Sequence, residues 1–271
     1  MFFSHFQECF KESFNVNFGN FEFLLNEQLV KINKIKIPSG EITNFILLDK
    51  IKLKNHLVIL STGMSNMKEI VKAINIISKR QIYKLIGNKI VIKDNKYLNY
   101  IRKKLIVMHC VTDYPVIDHY ANLQCINTLQ NKLKLNIGYS DHTKGIIAPI
   151  IAVSKGAKVI EKHFTLNKKM IGPDHKSSLN PKEFKTMVEG IRYAEKILGK
   201  EKKIVTESER TNIKYVRKSI VSKITIKKGE KFTVANITTK RPGTGISPMK
   251  YFKILGKVAK KKFEKDELIK I

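Results

Sequence analysis

The sequence predicts an α/β fold of the (β/α) barrel type, followed by a small β-rich domain. Short apolar runs recur along the chain, each run ends in a cluster of Ser, Thr, His or Gly, and stretches of helical length separate the runs. A strand–helix–strand repeat favours a parallel sheet. In such sheets the polar clusters meet at the carboxyl ends of the strands, where active sites of barrels and open α/β sheets are built.

The predicted barrel strands are five apolar runs, at residues 34–37, 57–60, 105–108, 135–137 and 159–160. A closed barrel of this type has about eight strands. Residues 1–33 are rich in Phe and Asn with weak periodicity, and could supply at most one more. We therefore expect a TIM-type barrel domain over residues 1–205 that lacks its first strands.

Helices are predicted between these strands from apolar periodicity and capping residues. Ser65 is expected to cap a helix that extends to about residue 77, and Gly156 to end the helix that precedes residues 159–160. The strongest start signal is Asn180-Pro181-Lys182-Glu183, where Asn180 caps the helix and Glu183 reaches back to the cap amide. The basic segment 79–104 is predicted to be an irregular connection.

Beyond about residue 206 the pattern changes to short strands and turns. Runs at 219–222, 224–230 and 232–238, and a hairpin-like stretch at 254–271, predict a small β-rich domain over residues 206–271. The charged segment around 200–210 is the expected linker.

Composition limits the class of protein. With 271 residues and 42% hydrophobic content, the chain can bury a full core. No run of about 18 apolar residues is present, which predicts no membrane span, and the N-terminus lacks the features of a signal peptide. The three cysteines show no CxxC spacing, so we expect free thiols and a cytoplasmic location.

The formal net charge of +29 allows two interpretations. One is binding to nucleic acid or to an anionic membrane. The other is a lysine-rich chain whose cations cover every solvated face. We favour the second, because lysines are spread from Lys31 to Lys270 without a recognition-helix, zinc-finger or aromatic RNA-binding signature. A basic surface is also compatible with an anionic small-molecule substrate.

Two histidines follow neighbouring predicted strands at equivalent positions, His142 in GYSDHT and His163 in EKHF. Side by side at the end of a sheet, two imidazoles could hold a divalent metal, although a single histidine is more often a hydrogen-bonded structural residue. The adjacent carboxylates of Asp141 and Glu161 favour the metal interpretation, either as groups that orient the ligands or as catalytic groups.

Hydroxyl and glycine residues end two other strands. Ser39-Gly40 and Ser61-Thr62-Gly63 could offer hydroxyls and open N–H groups to an anion, or could simply terminate their strands. His109 and Cys110 are adjacent, but neighbours in a strand point to opposite faces. We therefore do not expect a Cys–His catalytic pair.

The chain carries six motifs in order: KIPSGEITN (36–44), ILSTGMS (59–65), HC…YP (109–115), GYSDHT (138–143), IEKHFTL (160–166) and GPDHKSSLNP (172–181). Together they resemble the N-acetylneuraminate (sialic acid) synthase family, which includes legionaminate and pseudaminate synthases. The later segments KSIV, IKKGE and KRPGTGISP resemble that family's antifreeze-like (SAF) domain. The resemblance covers residues 34–271. It implies an enzyme that condenses phosphoenolpyruvate with an N-acetylmannosamine-type sugar and water, giving a nine-carbon 2-keto acid and phosphate.

The resemblance also implies roles for individual residues. His142 and His163 would ligate a divalent metal, Mn²⁺ or Mg²⁺, that polarises the sugar aldehyde. Glu161 would be catalytic, at the centre where water adds. Phosphoenolpyruvate would be held by one cationic and three hydroxyl side chains, those of Lys36, Ser39, Ser61 and Ser140.

The acetamido sugar would contact Tyr114 and Asp174. Arg241 would reach from the SAF domain of one subunit into the barrel of its partner, which implies a domain-swapped homodimer.

The sequence departs from the family pattern in three places. Residues 1–33 do not match the N-terminal region that carries a sugar-contacting glutamate and a phosphoenolpyruvate-binding lysine in the family. Val111 and Thr112 stand where sialic acid synthases often have a polar pair that touches the sugar, and segment 79–104 has no expected role. Two alternatives therefore stay open: an inactive or split-gene fragment that needs a separate N-terminal piece, and a basic protein that binds nucleic acid or membrane.

Overall fold

The computed structural model describes residues 17–18, 34–51, 53 and 56–271. It divides into two compact units with the boundary between Gly199 and Lys200, a few residues before the predicted one. The expectation of missing first barrel strands concerns residues 1–33, which lie outside the described residues except for 17–18. No helix in the described part of the chain is long and apolar enough to cross a membrane.

The first unit is built on a six-stranded sheet in which all neighbouring strands are parallel. The strands are, in spatial order, β1 (Asn17–Phe18), β2 (Lys34–Ile37), β3 (Leu57–Ser61), β6 (Leu105–Cys110), β7 (Asn136–Asp141) and β8 (Ile160–Lys162). The five predicted strands are confirmed. Their order in space follows the chain, as in the wall of a (β/α) barrel.

Contacts at the strand ends show that this sheet is curled. Lys36 of β2 and Glu161 of β8 form an ion pair with 3.1 Å between Nζ and Oε1. Four strand spacings separate β2 from β8, roughly 19 Å in a flat sheet. A lysine side chain cannot span that distance, so the sheet must bend into a half-barrel. Beyond β8, an isolated parallel bridge joins Phe164 to Leu179.

The helices in the described part of the first unit are α1 (Phe45–Lys50), α2 (Met67–Ile77), α3 (Asn95–Ile101), α4 (Gln124–Leu133), α5 (Ile147–Ser154) and α6 (Pro181–Leu198). Short 3-10 turns lie at Ser39–Glu41 and Asp118–Tyr120. The helices pack their apolar faces on one face of the sheet, where Leu60, Ile74 and Ile137 are completely buried. Because this layer is tightly filled, the strand ends are rigid supports for side chains.

The predicted cap of α2 is wrong by one residue. The Asn66 side chain, not that of Ser65, accepts the Lys68 and Glu69 N–H groups, and the Glu69 carboxylate accepts the Asn66 N–H at 2.8 Å. A reciprocal capping box needs a glutamate three residues after the cap, and this spacing selects Asn66. The same box predicted at Asn180 and Glu183 is confirmed.

Segment 79–104 is regular rather than irregular. It contains an antiparallel hairpin of β4 (Tyr83–Ile86) and β5 (Lys89–Ile92), followed by α3, which Asp94 caps. The hairpin is anchored by Tyr83, whose buried hydroxyl donates to Leu133 O at 2.6 Å. The two-residue Gly87-Asn88 turn, with Gly87 at φ +57°, is typical of such hairpins.

The second unit contains α7 (Glu207–Val216), β9 (Ser219–Ser222), β10 (Ile237–Lys240) and α8 (Tyr251–Ile254), with a 3-10 turn at Pro248–Lys250. The expected linker is partly helical, because Thr206 and Glu209 form a capping box that starts α7. The predicted hairpin at 254–271 is also wrong. This stretch instead makes single bridges to earlier segments, such as Phe263 to Ile226. The core of the second unit surrounds the edge-to-face ring pair of Phe232 and Phe263.

Candidate active site

A lysine–serine–glutamate cluster lies at the carboxyl ends of the sheet strands. Ser140 and Glu161 are register partners on β7 and β8, and Ser140 Oγ donates to Glu161 Oε1 at 2.6 Å. Lys36 Nζ donates to the same oxygen. The lysine side chain is only 5% exposed whereas that of the glutamate is 40% exposed. The cluster therefore presents an accessible carboxylate above a buried lysine that is paired with it.

Hydroxyl groups at the ends of β2, β3 and β6, next to the loop after β3, extend this cluster. Ser39 Oγ lies 3.1 Å from Thr112 Oγ1, and Gly63 N–H donates to Cys110 Sγ at 3.0 Å. The Ser61 hydroxyl is buried, and apart from the nearby Cys110 thiol it has no hydrogen-bond partner among the described residues. A buried hydroxyl without a partner is costly unless a ligand oxygen satisfies it. This observation favours Ser61 as a ligand contact.

Glycine is required at position 63 of this loop. A Cβ there would lie 2.2 Å from Thr112 Oγ1 and 3.0 Å from Cys110 Sγ. Burial raises the pKa of the Cys110 thiol, which is therefore protonated at neutral pH. His109 points away and contacts Ala121 O at 2.8 Å through Nε2, so the two neighbours form no catalytic pair, as expected.

The two predicted metal ligands lie together. The rings of His142 and His163 meet edge to face with centroids 5.3 Å apart, and the Tyr114 ring covers both at 4.2 and 5.5 Å. His142 Nδ1 contacts Val111 O at 2.6 Å, and His163 Nδ1 lies 3.7 Å from Asp174 Oδ2. Each ring thus uses Nδ1 toward a protein oxygen, which leaves Nε2 available to a metal.

This arrangement fits a divalent ion that keeps open coordination positions. Metal-binding imidazoles commonly donate their other N–H to a carbonyl or carboxylate, as His142 can to Val111 O, while Asp174 faces the same nitrogen of His163 at ion-pair distance. Burial lowers the pKa of His142, so the ring is neutral and able to bind a metal at pH 7. No group of three or more His, Cys, Asp or Glu suited to a metal occurs in the described ranges.

The structure adds two residues that the sequence analysis missed, Lys162 and Thr143. Asp141, expected to orient the ligands or to act in catalysis, forms a buried ion pair with Lys162, with 2.6 Å between Oδ2 and Nζ. The Thr143 hydroxyl is buried without a partner among the described residues. It lines the same small pocket as Tyr114 and the two histidines. The sequence signal for this ion pair was that an acidic residue directly precedes His142 and a basic residue directly precedes His163, on strands predicted to be neighbours.

Arg241 is the one predicted site residue that belongs to the second unit. Its Nε donates to Val216 O at 3.0 Å, and Lys214 O of the same helix accepts the Gly243 N–H. These contacts hold the Arg241–Gly243 loop on the last turn of α7. The role expected for Arg241 toward a partner subunit stays a prediction.

Comparison with known proteins assigns both units. Residues 14–203 match the NeuB family and residues 217–271 match the SAF domain. The chain is 47% identical over 247 residues to the N,N'-diacetyllegionaminic acid synthase of Campylobacter jejuni, covering 91% of this chain and 68% of that protein.

Two solved structures are similar to the chain. The N-acetylneuraminic acid (sialic acid) synthetase of Leptospira borgpetersenii is 32% identical with a TM-score of 0.57, over 73% of this chain and 70% of that chain. The spore coat polysaccharide biosynthesis protein SpsE of Bacillus subtilis is 30% identical with a TM-score of 0.55, over 94% and 71%.

The chain spans 59 to 68% of the length of three of the curated relatives it matches. Within that span the match is continuous across the half-barrel and the β-rich unit. The sequence identity and the family match therefore include the strands whose ends form the candidate site. The chain belongs to the NeuB family, with a SAF domain over residues 217–271.

Proposed function

We propose that this protein condenses phosphoenolpyruvate with an acetamido sugar and water, releasing phosphate and a nine-carbon 2-keto acid. The observation that carries the proposal is the cluster of Lys36, Ser140 and Glu161 on the same strand ends as the paired imidazoles. An anionic enol phosphate needs buried cations and hydroxyls, and an aldehyde needs an electrophilic partner.

Phosphoenolpyruvate would lie over β2, β3 and β7. The buried Lys36 ammonium neutralises one of its anionic groups, and the Ser61 hydroxyl, which has only the Cys110 thiol beside it among the described residues, donates to a phosphate or carboxylate oxygen. Ser39 and Ser140 supply further hydroxyls around the same opening.

The proposed step conserves atoms and charge. C3 of phosphoenolpyruvate attacks the aldehyde carbon to form a C–C bond, and the aldehyde oxygen takes a proton to become a hydroxyl. Water adds to C2 and gives up one proton, which balances the proton taken by the aldehyde oxygen. When the C2–O bond to phosphate breaks, the new C2 hydroxyl loses its proton to the departing phosphate and becomes the keto group. Glu161, with one oxygen held by Lys36 and Ser140, accepts the proton of the added water.

His142 and His163 would hold the divalent ion, and Mn²⁺ suits an imidazole-containing donor set better than Mg²⁺ does. When bound, the ion would supply Lewis-acid polarisation of the sugar aldehyde. Tyr114, whose ring is tilted against both imidazoles, limits access of bulk water to them. Asp174, close to His163, is placed to accept hydrogen bonds from sugar hydroxyls.

The similarity to the Campylobacter jejuni enzyme favours the diacetamido sugar that leads to N,N'-diacetyllegionaminic acid. The decisive experiment measures phosphate release from phosphoenolpyruvate with Mn²⁺ and each of three sugars: this diacetamido sugar, N-acetylmannosamine and the pseudaminate precursor. Release is expected with one of them and is abolished by Lys36→Met purified in parallel. A folded chain that releases no phosphate with any of these sugars would overturn the proposal.

We further infer a homodimer in which Arg241 acts on the partner subunit's site. If so, Arg241→Ala and Glu161→Gln subunits mixed after mild dissociation will form dimers with one intact site. Activity should then reappear in the mixture of two inactive preparations. No recovery, with mixed dimers demonstrated by mass spectrometry, would place Arg241 in its own subunit's site.

A further inference from the structure

An ion pair connects the strand ends from which the two histidines project. Asp141 and Lys162 are register partners on β7 and β8, and each directly precedes one histidine. Their side chains are 0% and 1% exposed. Ser140 and Glu161, one residue earlier, point to the opposite face of the sheet because side chains alternate along a strand. The pair therefore points away from the phosphoenolpyruvate cluster, and it lines the small pocket that Tyr114, His142 and His163 also line.

Further hydrogen bonds fix this pair in one geometry. Asp141 Oδ1 accepts from Tyr139 OH at 3.0 Å and from Thr143 N–H at 2.9 Å, while Oδ2 accepts from Lys162 Nζ. Lys162 Nζ also donates to Thr143 O. The residues on both sides of His142, Asp141 and Thr143, thus accept hydrogen bonds from Lys162, which directly precedes His163. A buried, fully hydrogen-bonded ion pair has one low-energy arrangement, so it transmits position.

We propose that Asp141 and Lys162 are positioning residues that hold the His142 and His163 imidazoles at the separation needed to share one divalent ion. The metal part of this inference rests on the proposed function. The ring geometry does not, because it is a property of the metal-free chain. Neither side chain touches the reacting atoms, so both act through the histidines.

The hydrogen-bond pattern suggests a paired test. D141N keeps an oxygen for Tyr139 OH and Thr143 N–H but turns an NH₂ group toward Lys162 Nζ, which leaves a buried cation facing a donor. D141N/K162Q removes the charge and restores complementarity, since the glutamine oxygen accepts from the new amide and its NH₂ donates to Thr143 O. The single variant should therefore fail and the double variant should recover.

Two readouts on the full chain distinguish positioning from general damage. The first is the NOE between ring protons of His142 and His163 in metal-free protein with labelled histidine. The second is the dissociation constant for Mn²⁺ measured by EPR, compared with that for phosphoenolpyruvate. D141N is expected to lose the NOE and to bind Mn²⁺ at least about tenfold more weakly, with phosphoenolpyruvate affinity within about twofold of wild type. The double variant should regain most of both.

Tyr83→Phe is the matched control, because it removes another buried hydrogen bond of this unit without touching the histidine strands. It should lower stability and leave both readouts unchanged. An unchanged NOE and Mn²⁺ affinity in D141N, or equal losses of Mn²⁺ and phosphoenolpyruvate binding, would overturn the inference. If wild type binds no Mn²⁺, the metal part of the proposed function fails, while the NOE of the variants still decides whether the pair orders the rings.

Discussion

At the scale of single residues, Glu161 is the point where the two halves of the site meet. One of its oxygens is held by the Lys36 ammonium and the Ser140 hydroxyl, while the side chain as a whole stays accessible. The neighbouring Lys162 points to the opposite face of the strand, where its ion pair with Asp141 connects the strand ends that precede the two histidines. The three-residue strand β8 thus carries the proposed proton acceptor and the buried positioning lysine, and His163 of the proposed metal site directly follows it.

Glu161→Gln is expected to reduce kcat by about a hundredfold or more, since the amide keeps the shape of the carboxylate but cannot accept the proton of water. The affinity for phosphoenolpyruvate should change far less. Steady-state kinetics separate the two effects. Glu195→Gln, which disturbs an exposed ion pair with Arg192 on α6, is the control and should be fully active. A Glu161→Gln enzyme with wild-type kcat would remove this residue from catalysis.

His109 predicts a pH effect on stability. Burial lowers the pKa of His109 below its usual range, so the folded chain disfavours its charged form. The unfolded chain takes up this proton as pH falls below about 6.5, and the folded chain does so only at lower pH. The free energy of unfolding should therefore fall across that window, by about 1.4 kcal/mol for each unit of pKa depression.

His109→Gln should weaken this pH dependence, because glutamine can still donate to Ala121 O but does not titrate. Urea unfolding of both proteins at pH 7 and pH 5 measures the difference. Identical pH dependence in the two proteins would mean that His109 is protonated equally in the folded and unfolded states.

At the scale of elements, the cap of α2 fixes where this helix begins. The helix follows β3, which ends at Ser61, and the loop that carries Gly63. Asn66→Ala should lower the free energy of unfolding by about 1 kcal/mol, since it removes the acceptor for two helix N–H groups. Ser65→Ala, one residue earlier, should cost much less. Equal losses in urea unfolding for the two variants would contradict the assigned cap.

Much of the fold was predictable because its signals are local. Apolar runs ending in polar clusters located the five strands, and the spacing of Asn180 and Glu183 located α6. The β4–β5 hairpin was missed although Gly87-Asn88 is a hairpin turn signal, because the dense lysines around it obscured the alternation of apolar residues. The paired segments of the second unit were missed because single bridges between distant segments leave no periodic pattern.

The site was predictable in its residue types and less so in its contacts. Histidines at strand ends indicated where a metal could lie, and serines indicated an anion site. The Asp141–Lys162 pair could not be inferred from either strand alone, because it depends on the register between β7 and β8. The contact of Lys36 with Glu161 depends on the curl of the whole sheet, which no local pattern encodes.

At the scale of the whole molecule, the two units have separate cores. The β-rich unit buries its own set of apolar side chains, those of Ile220, Ile226, Phe232, Ile237, Ile254, Ala259, Phe263 and Ile269. The half-barrel buries a larger set between sheet and helices. Separate cores allow the units to unfold separately.

Phe263→Ala should therefore unfold the second unit selectively. Truncating this fully buried ring costs about 3–5 kcal/mol, a large share of the stability of a domain of this size. Backbone NMR of the full chain should show dispersed signals for the first unit and collapsed signals for residues 217–271. Loss of both sets of signals would show that the units fold as one.

The hairpin of β4 and β5 offers a practical use. It lies between α2 and β6 in the chain, and its anchor Tyr83 donates a hydrogen bond to the end of α4. The hairpin is therefore on the side of the sheet where the amino ends of the strands lie. Gly87 and Asn88 at its tip are exposed, and a side chain added at Gly87 would meet no atom within 4 Å. A biotin acceptor peptide inserted at this turn would tether the protein to a surface with the carboxyl ends of its strands, which carry the candidate site, facing the solution.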